Sequence, residues 1–517
     1  MQIPFRISTA TATLTTNIFV TIIAALTVGG CAHAPATLNA QTASLPTHCG
    51  ISSEQLQRIQ TLNTEVVARG FAPGITTQIY CDGKPLLNET RGLADVARNR
   101  SLAGDDLFRI YSMTKPLTSL AAMILVDDLK LKLDDPVAKY LPEFSSASVF
   151  DSGETPETLK TKMLKRPITV RDLMRHTAGL TYMSTAPGAV NRLYVLRGID
   201  NGGGAFVMPA DKSAPVTNIS EFTRRIATIP LLYQPGELFS YGNATDVLAA
   251  VVEKASGQRF REFMSTRIFT PLKMQDTFFE VPPEKITRLT AAYAAKSAES
   301  GNGNVLRSTR IDTLGRGTVA QIEDPKTSVF SKPRIIDFGG AGLISTATDY
   351  QRFLQMLLQD GALEGTRIVS PGTVAEMTRN QLDAMALATP NLAAQGLGFG
   401  LGFARFLNPA KAPAAVPANG YFWGGAASTY FWVDPDRRIS GVVMTQVFGG
   451  DVMPFYLEML NTLYQSGSAR QRAESPIAAM QASHSVRAEL IPAVNIAQTP
   501  QTPQATQATQ ATQSKTR

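Results

Sequence analysis

The spacing of apolar residues predicts one helix near the start of the chain and a hairpin directly after it. Over residues 53–68 apolar side chains recur every three or four positions, and Gly70 follows the last of them. Residues 75–81 and 86–92 are strand-like runs on either side of Asp82-Gly83, a pair that favours a tight two-residue turn. This part of the chain therefore predicts a helix followed by two antiparallel strands.

The middle of the chain carries a different pattern. From residue 134 to residue 334 it shows helical periodicity and long loops but no strand alternation. Short helices are predicted at 169–175, 220–228, 244–255 and 259–268. Residues 184–216 contain three consecutive glycines and are predicted to be a flexible insertion.

Strand and helix signals return after residue 338. Helices are predicted over 346–358 and 452–464, and strands over 422–433 and 439–447. After Ser466 the composition turns to Ala, Gln, Thr and Pro, which cannot bury enough apolar surface to fold.

These patterns together predict an α/β (α+β) fold. Residues 50–140 and 335–466 would form one α/β domain, and residues 141–334 would be an α-rich domain inserted into it. Residues 467–517 would be a disordered tail.

The N-terminus has the pattern of an export signal. Arg6 precedes an apolar run at 18–28, and Val28-Gly29-Gly30-Cys31 resembles a bacterial lipobox. That resemblance implies a lipoprotein signal peptide at 1–30, lipidation of Cys31 and a tether at 31–49. Because Ala32 follows Cys31, an outer-membrane anchor facing the periplasm is expected. The alternative is a plain secretory signal with an incidental Cys31.

Export would place the remaining cysteines in an oxidising compartment. Cys49 and Cys81 would then form a disulfide, and the alternative of two buried thiols stays open. The three cysteines and four histidines show no ligand spacing, so no metal and no cofactor is expected. The net charge of +7 is partly carried by the two ends, and no basic stripe with interleaved aromatics is present. Nucleic acid is therefore not an expected partner.

The first candidate catalytic residues lie in Tyr111-Ser112-Met113-Thr114-Lys115, at the start of a helix predicted over 114–129. Positions i and i+3 share one helix face, so the Lys115 amine can reach the Ser112 hydroxyl and activate it without histidine. A serine followed three positions later by a lysine occurs easily by chance in a long chain. The histidine route is poorly supported, because only His176 lies in the predicted folded body and no G-x-S-x-G motif is present. We expect His176 to be structural.

Two later motifs give Ser112 its context. Tyr241-Gly242-Asn243 precedes a predicted helix, and Trp423-Gly424-Gly425 lies in a predicted strand. This ordered triplet resembles the serine β-lactamase and penicillin-binding-protein superfamily, in the class C-like branch that includes family VIII esterases. The resemblance covers residues 50–466 and implies a β-lactamase/transpeptidase-like fold, with a central, mostly antiparallel sheet flanked by helices.

The resemblance also implies roles for individual residues. Ser112 would be acylated, and Lys115 with Tyr241 would move its proton to the leaving group. Asn243 would hydrogen-bond Lys115 or the acyl amide. The backbone N–H groups of Ser112 and Ala426 would form the oxyanion hole.

One position departs from the penicillin-recognising relatives. Many of them carry lysine or histidine where this chain has Trp423, and that cation helps bind a substrate carboxylate. Gly424 and Gly425, next to it, would let the substrate lie close along the strand. An indole in place of the cation favours esters or apolar acyl groups over carboxylate-bearing β-lactams and peptides.

The sequence therefore predicts a serine acyl-hydrolase that forms an acyl-enzyme on Ser112, with a small-molecule ester or amide as substrate. A carboxylic ester hydrolase is favoured. The alternative within the superfamily is a β-lactamase or D-alanyl carboxypeptidase. A third hypothesis is a non-catalytic envelope protein that keeps the fold for binding. The protein would contact a membrane only through the lipid anchor. Its oligomeric state is left open.

Overall fold

A computed structural model gives the fold of the chain and describes residues 49–199, 216–295, 318–383, 386, 392, 395–449 and 452–465. The predicted signal peptide, the tether up to residue 48 and the predicted tail lie outside the described residues. The described part belongs to one compact unit. The domain limits drawn from the sequence remain a prediction.

Helices and strands alternate irregularly along the described residues. The helices are α1 Ser53–Ala68, α2 Thr114–Asp127, α3 Val170–Met174, α4 Gly188–Arg197, α5 Ile219–Ile226, α6 Ala244–Ser256, α7 Phe260–Met264, α8 Ala347–Leu358, α9 Pro371–Thr378 and α10 Met453–Tyr464. None of the helices in this part of the chain is long and apolar enough to cross a membrane.

The strands of the same residues are mostly short. They are β1 Gly74–Cys81, β2 Lys84–Asp95, β3 Arg100–Ser101, β4 Phe108–Arg109, β5 Ser148–Ser152, β6 Lys160–Met163, β7 Ala292–Ala295, β8 Val319–Glu323, β9 Ile344–Ser345, β10 Ala362–Leu363, β11 Thr366–Arg367, β12 Leu397–Phe399, β13 Ala404–Phe406, β14 Tyr421–Gly425, β15 Thr429–Asp434, β16 Ile439–Met444 and β17 Val447–Phe448.

Among the described residues, eight strands form one sheet in the order β12-β13-β14-β15-β16-β1-β2-β3. Each neighbouring pair in it is antiparallel. The sheet thus joins strands from the two ends of the chain, because β16 pairs with β1. The predicted mixed fold with a mostly antiparallel sheet is confirmed.

The predicted hairpin and first helix are present as the sequence indicated. α1 spans residues 53–68, and its N-cap Ser52 accepts a hydrogen bond from the Gln55 N–H while the Gln55 side chain bonds back to the Ser52 N–H. Between β1 and β2, Asp82 and Gly83 both have positive φ, 49° and 78°, which is the backbone that a tight two-residue hairpin turn requires.

Helices cover both faces of the sheet. The Thr77 hydroxyl donates to Asn63 of α1 at 3.0 Å, whereas the next residue, Gln78, donates to Thr348 of α8 at 3.0 Å. Consecutive side chains of a strand point to opposite faces. Therefore α1 and α8 lie on opposite sides of β1, with the sheet between them.

The middle segment, where the sequence shows no strand alternation, also contains strands. Residues 134–334 contain β5 paired with β6, and β7 paired with β8, with β7 also parallel to β17. The side chains of β6 are all exposed and those of β8 are half-buried or exposed, so neither strand has a buried face. Strands held mainly by backbone pairing leave no alternation of apolar and polar residues in the sequence.

Two further expectations need correction. Residues 184–216 are not a loop throughout, because α4 occupies Gly188–Arg197 and buries Val190 and Tyr194; residues 200–215 lie outside the described part. Residues 422–433 are two antiparallel strands, with Gly425 opposite Thr429, rather than one. All six residues of β15 are buried, and the turn before it contains Ala426 and Ala427. The apolar run in the sequence therefore shows no break at the turn.

Candidate active site

Ser112 lies in a short 3₁₀ turn, Tyr111–Met113, that leads directly into α2. Tyr111 has φ of 42°, in the left-handed region that few residues with a side chain adopt. Its buried ring packs against Phe330 and Phe448, with centroids 6.0 and 5.1 Å away. This packing holds the backbone in its strained conformation immediately before Ser112, whose own side chain is half-buried.

Lys115 lies beneath Ser112 on the first turn of α2 and has no exposed surface. Its Nζ donates to Ser112 Oγ at 3.2 Å, to the phenol oxygen of Tyr182 at 2.9 Å and to the carbonyl oxygen of Gly340 at 2.8 Å. The predicted i,i+3 geometry is therefore present. The other two acceptors fix the ammonium in place beside the hydroxyl.

Tyr241 lies against the same ammonium. Lys115 Nζ is 4.7 Å from the centroid of the Tyr241 ring. The tyrosine lies on the segment that enters α6, and its ring is also packed by Tyr182 at 5.5 Å. The structure thus brings Tyr241 into one cluster with Ser112 and Lys115, although Tyr241 is far from them in the chain.

Tyr182 is a site residue that sequence reasoning missed. It lies between α3 and α4, where no periodicity marks a side chain as important. Gly179 turns the chain toward the site with φ of 79°, and a Cβ atom there would lie 2.3 Å from the Tyr233 carbonyl oxygen. None of the motifs found in the sequence includes Tyr182, so no local signal marked it.

Trp423 forms an aromatic wall beside Tyr241. The two ring centroids are 5.4 Å apart, and Phe399 packs against the other side of the indole at 5.2 Å. The Trp423 side chain is 8% exposed, and its Nε1 has no hydrogen-bond partner among the described residues. The position where relatives carry a cation is therefore apolar here.

The structure gives a reason for glycine at position 425 that the sequence did not reveal. A Cβ atom there would lie 2.3 Å from the carbonyl oxygen of Ile110, two residues before Ser112. The glycine lets β14 approach the turn that carries Ser112, whereas the resemblance had implied close approach of the substrate. Gly424 is half-buried, and Ala426 begins the turn into β15, where Ser428 has φ of 58°.

The profile of the Beta-lactamase family matches residues 59–464, which is most of the chain. The chain belongs to the Beta-lactamase family. It is a serine hydrolase of that family, with the predicted β-lactamase/transpeptidase-like fold.

Individual relatives agree with the family. The protein Rv1367c of Mycobacterium tuberculosis is 32% identical over 381 residues, covering 72% of this chain and 86% of its own. Esterase EstB of Burkholderia gladioli is 29% identical over 386 residues, covering 74% and 88%. The solved structure of EstCE1, a hydrolase with promiscuous acyltransferase activity, has a TM-score of 0.63 and 25% identity, covering 80% of this chain and 98% of that one.

Asn243 in this family member is fully buried at the N-cap position of α6, but its side chain makes no capping hydrogen bond. Its Nδ2 donates to Asp246 Oδ2 at 3.1 Å. The alternative of a simple helix cap is therefore not the arrangement observed. The implied contact with Lys115 or with an acyl amide remains a prediction.

His176 lies at the back of the Tyr241 ring, with centroids 4.7 Å apart, and its other aromatic neighbours are Phe239 and Phe399. The side chain is fully buried, and neither ring nitrogen has a hydrogen-bond partner among the described residues. Burial lowers the pKa of His176 well below its usual value, and the charge of Lys115 acts in the same direction. The imidazole is therefore uncharged near neutral pH.

Two further observations concern the cysteines and the groups that could bind a metal. Cys49 and Cys81 are joined in the structure, with Cα atoms 6.2 Å apart. No group of three or more His, Cys, Asp or Glu side chains converges in a way that would hold a metal ion within the described part of the chain.

Proposed function

We propose that this member of the Beta-lactamase family is a carboxylic ester hydrolase that works through an acyl-enzyme on Ser112. The observation that carries the proposal is the position of the Lys115 ammonium, in contact with both the Ser112 hydroxyl and the Tyr241 ring. The names of EstB and EstCE1 describe an esterase and a hydrolase, which supports the same reaction class.

The reaction would proceed in two halves. Ser112 Oγ attacks the ester carbonyl carbon, and its proton passes to the Lys115–Tyr241 pair. The tetrahedral intermediate collapses, the C–O bond to the alcohol breaks, and the departing alkoxide takes that proton. Water then attacks the acyl-serine and loses a proton to the same pair, which returns it to Ser112 Oγ as the carboxylic acid leaves. The backbone N–H groups of Ser112 and Ala426 are our candidates for the oxyanion hole.

The substrate class follows from the wall beside Tyr241. Trp423 offers an aromatic surface but no positive charge, and Phe399 lies behind it. A substrate carboxylate would have to enter this wall without a cation to pair with it, which is costly. We therefore favour uncharged esters with apolar acyl groups.

Hydrolysis of p-nitrophenyl esters by the purified protein tests the proposal. Wild type should show turnover, and Ser112→Ala should abolish it. Ser119→Ala is a matched control, because Ser119 is a buried serine two turns further along α2. Equal rates for wild type and Ser112→Ala would refute the proposal.

The same protein tests the alternatives. A β-lactamase or D-alanyl carboxypeptidase would be acylated rapidly by nitrocefin or penicillin, and mass spectrometry would show the adduct on Ser112. Ester turnover without such an adduct favours the esterase. A non-catalytic binding protein would not be labelled at Ser112 by a fluorophosphonate probe.

We further propose that the chain is exported and anchored by a lipid on Cys31. The support is the lipobox-like stretch ending at Cys31. Wild type should be labelled by a palmitate analogue in a bacterial host and Cys31→Ser should not. Equal labelling of the two would contradict the proposal.

A further inference from the structure

A glycine loop between β8 and β9 lies against the first turn of α6 at very short distance. A Cβ atom on Gly339 would lie 2.6 Å from the Thr245 carbonyl oxygen, and one on Gly340 would lie 2.8 and 2.9 Å from the two carboxylate oxygens of Asp246. A side chain at either position would force the loop, helix α6 or the Asp246 carboxylate to shift. The loop is therefore held at a fixed place relative to Asp246.

Gly340 connects this carboxylate to the catalytic lysine. Its N–H donates to Asp246 Oδ1 at 2.7 Å, and its carbonyl oxygen accepts from Lys115 Nζ at 2.8 Å. Gly340 therefore links the two side chains, with its N–H bonded to the Asp246 carboxylate and its carbonyl oxygen bonded to the Lys115 amine.

Asp246 has the hydrogen bonds of an ionised carboxylate. It is fully buried, and its two oxygens accept from the Gly340 N–H and from Asn243 Nδ2. Both partners are donors, so neither oxygen needs a proton of its own. Burial raises the pKa of Asp246, while Lys115, the Gly340 N–H and the Asn243 amide oppose that shift.

Lys115, by contrast, is a buried cation, and no carboxylate of the described residues is in direct contact with it. Its three hydrogen-bond partners among the described residues are a serine hydroxyl, a phenol and a backbone carbonyl. A buried charge is costly unless another charge compensates it. Asp246 is coupled to that charge, because burial raises the pKa of Asp246 and Lys115 opposes the rise.

We propose that Asp246 is the buried counter-charge of Lys115 and a positioning residue of this site, acting through the two backbone groups of Gly340. The negative charge sets the pH at which the site gains its base, and the Gly340 bridge holds the ammonium under Ser112. The other described ionisable groups facing this network are His176 and Tyr182, on the segment between α3 and α4, and Tyr241 ahead of α6. The inference rests on the proposed role of Ser112 as nucleophile but not on any particular ester.

The test is the rate at which a fluorophosphonate probe labels Ser112, measured over pH about 5 to 9. Removing a nearby negative charge makes a neighbouring cation lose its proton more readily. In a plot of labelling rate against pH, the rise on the low-pH side is the acid limb. This acid limb should therefore move to lower pH in Asp246→Asn, by about half a pH unit or more. A purely structural role would slow labelling without moving the limb.

Asp349→Asn is the matched control. Asp349 is also a buried acid at the third position of its helix, and it also accepts a backbone N–H, from Asp276 at 2.7 Å. Its electrostatic neighbours are Asp276 and Arg352 rather than Lys115. Asp349→Asn should keep the acid limb of wild type even where it lowers thermal stability.

The outcomes separate this inference from the proposed function. An unmoved acid limb in folded Asp246→Asn overturns the inference, and so does an equal movement in Asp349→Asn. If Asp246→Asn does not fold, Asp246→Ser answers the same question, because its hydroxyl still accepts a hydrogen bond but carries no charge. Ester turnover is measured alongside: wild type labelled at Ser112 without turnover counts against the esterase proposal alone.

Discussion

The phenol oxygen of Tyr182 accepts a 2.9 Å hydrogen bond from the ammonium of Lys115. The same ammonium lies 5.5 Å from the centre of the Tyr182 ring. Tyr182 therefore helps to decide where the Lys115 nitrogen lies relative to Ser112. Its effect on catalysis should exceed that of an ordinary buried tyrosine.

Tyr182→Phe should lower kcat/KM for a p-nitrophenyl ester by about 10- to 100-fold, because a hydrogen bond to a charged group is lost. Tyr194→Phe is the control, since it removes a buried hydroxyl that donates to the Thr181 carbonyl at 2.9 Å and touches no group that reacts. The control should lose about 1 kcal/mol of stability and keep its activity. Similar activity losses in both variants would contradict a specific role for Tyr182.

Much of the fold could be predicted because several elements carry local signals. The bounds of α1 follow from its apolar stripe and from the cap at Ser52, and the β1–β2 hairpin follows from Asp82-Gly83. That Ser112, Lys115 and Tyr241 lie close together could be predicted from ordered motifs.

Other features depend on contacts that no local pattern encodes. Tyr182 lies on a loop, and its role depends on which lysine the fold places opposite it. The role of Asp246 depends on Gly340, which is 94 residues away in the chain. The function of Gly425 becomes visible only when β14 is seen to meet Ile110. Tertiary contacts of this kind leave no periodicity to detect.

The thermal stability of the protein should fall as the pH is lowered below about 6.5, partly because of His176. Its pKa is depressed in the folded state, chiefly by burial, so the unfolded chain binds a proton that the folded chain does not. Stability from this residue is complete above the pKa of an ordinary histidine and is lost as the pH falls toward the folded value. Calorimetry at a series of pH values measures the slope.

His176→Phe isolates the histidine contribution, because phenylalanine keeps a ring against Tyr241 but cannot titrate. The variant should show a shallower fall of Tm between about pH 7 and 5 than wild type. Parallel curves for the two proteins would mean that His176 does not contribute.

Replacing both cysteines of the disulfide by serine, Cys49→Ser with Cys81→Ser, should destabilise the protein. The bond closes a loop with a sequence separation of 32 residues. In the chain-entropy picture a loop of this size contributes up to about 3–4 kcal/mol by restricting the unfolded chain. Calorimetry of wild type with and without reductant, beside the double variant, measures the effect.

Reduced wild type and the double variant should have the same Tm, below that of oxidised wild type. Quantitative titration of two thiols in wild type, with no change of Tm on adding reductant, would favour the alternative of two buried thiols.

Trp423→Lys should shift the protein from esters toward carboxylate-bearing β-lactams. A lysine at this place offers a cation for the substrate carboxylate, while the ring contact with Tyr241 is lost. We expect Ser112 acylation by nitrocefin to become about 10-fold faster and ester kcat/KM to fall by at least as much. Trp423→Phe, which keeps an aromatic ring, should retain most of the ester activity and gain no nitrocefin acylation. Because the indole is largely buried, the Tm of each variant must be measured beside its kinetics. A folded Trp423→Lys protein with unchanged nitrocefin acylation would show that the missing cation does not set the substrate class.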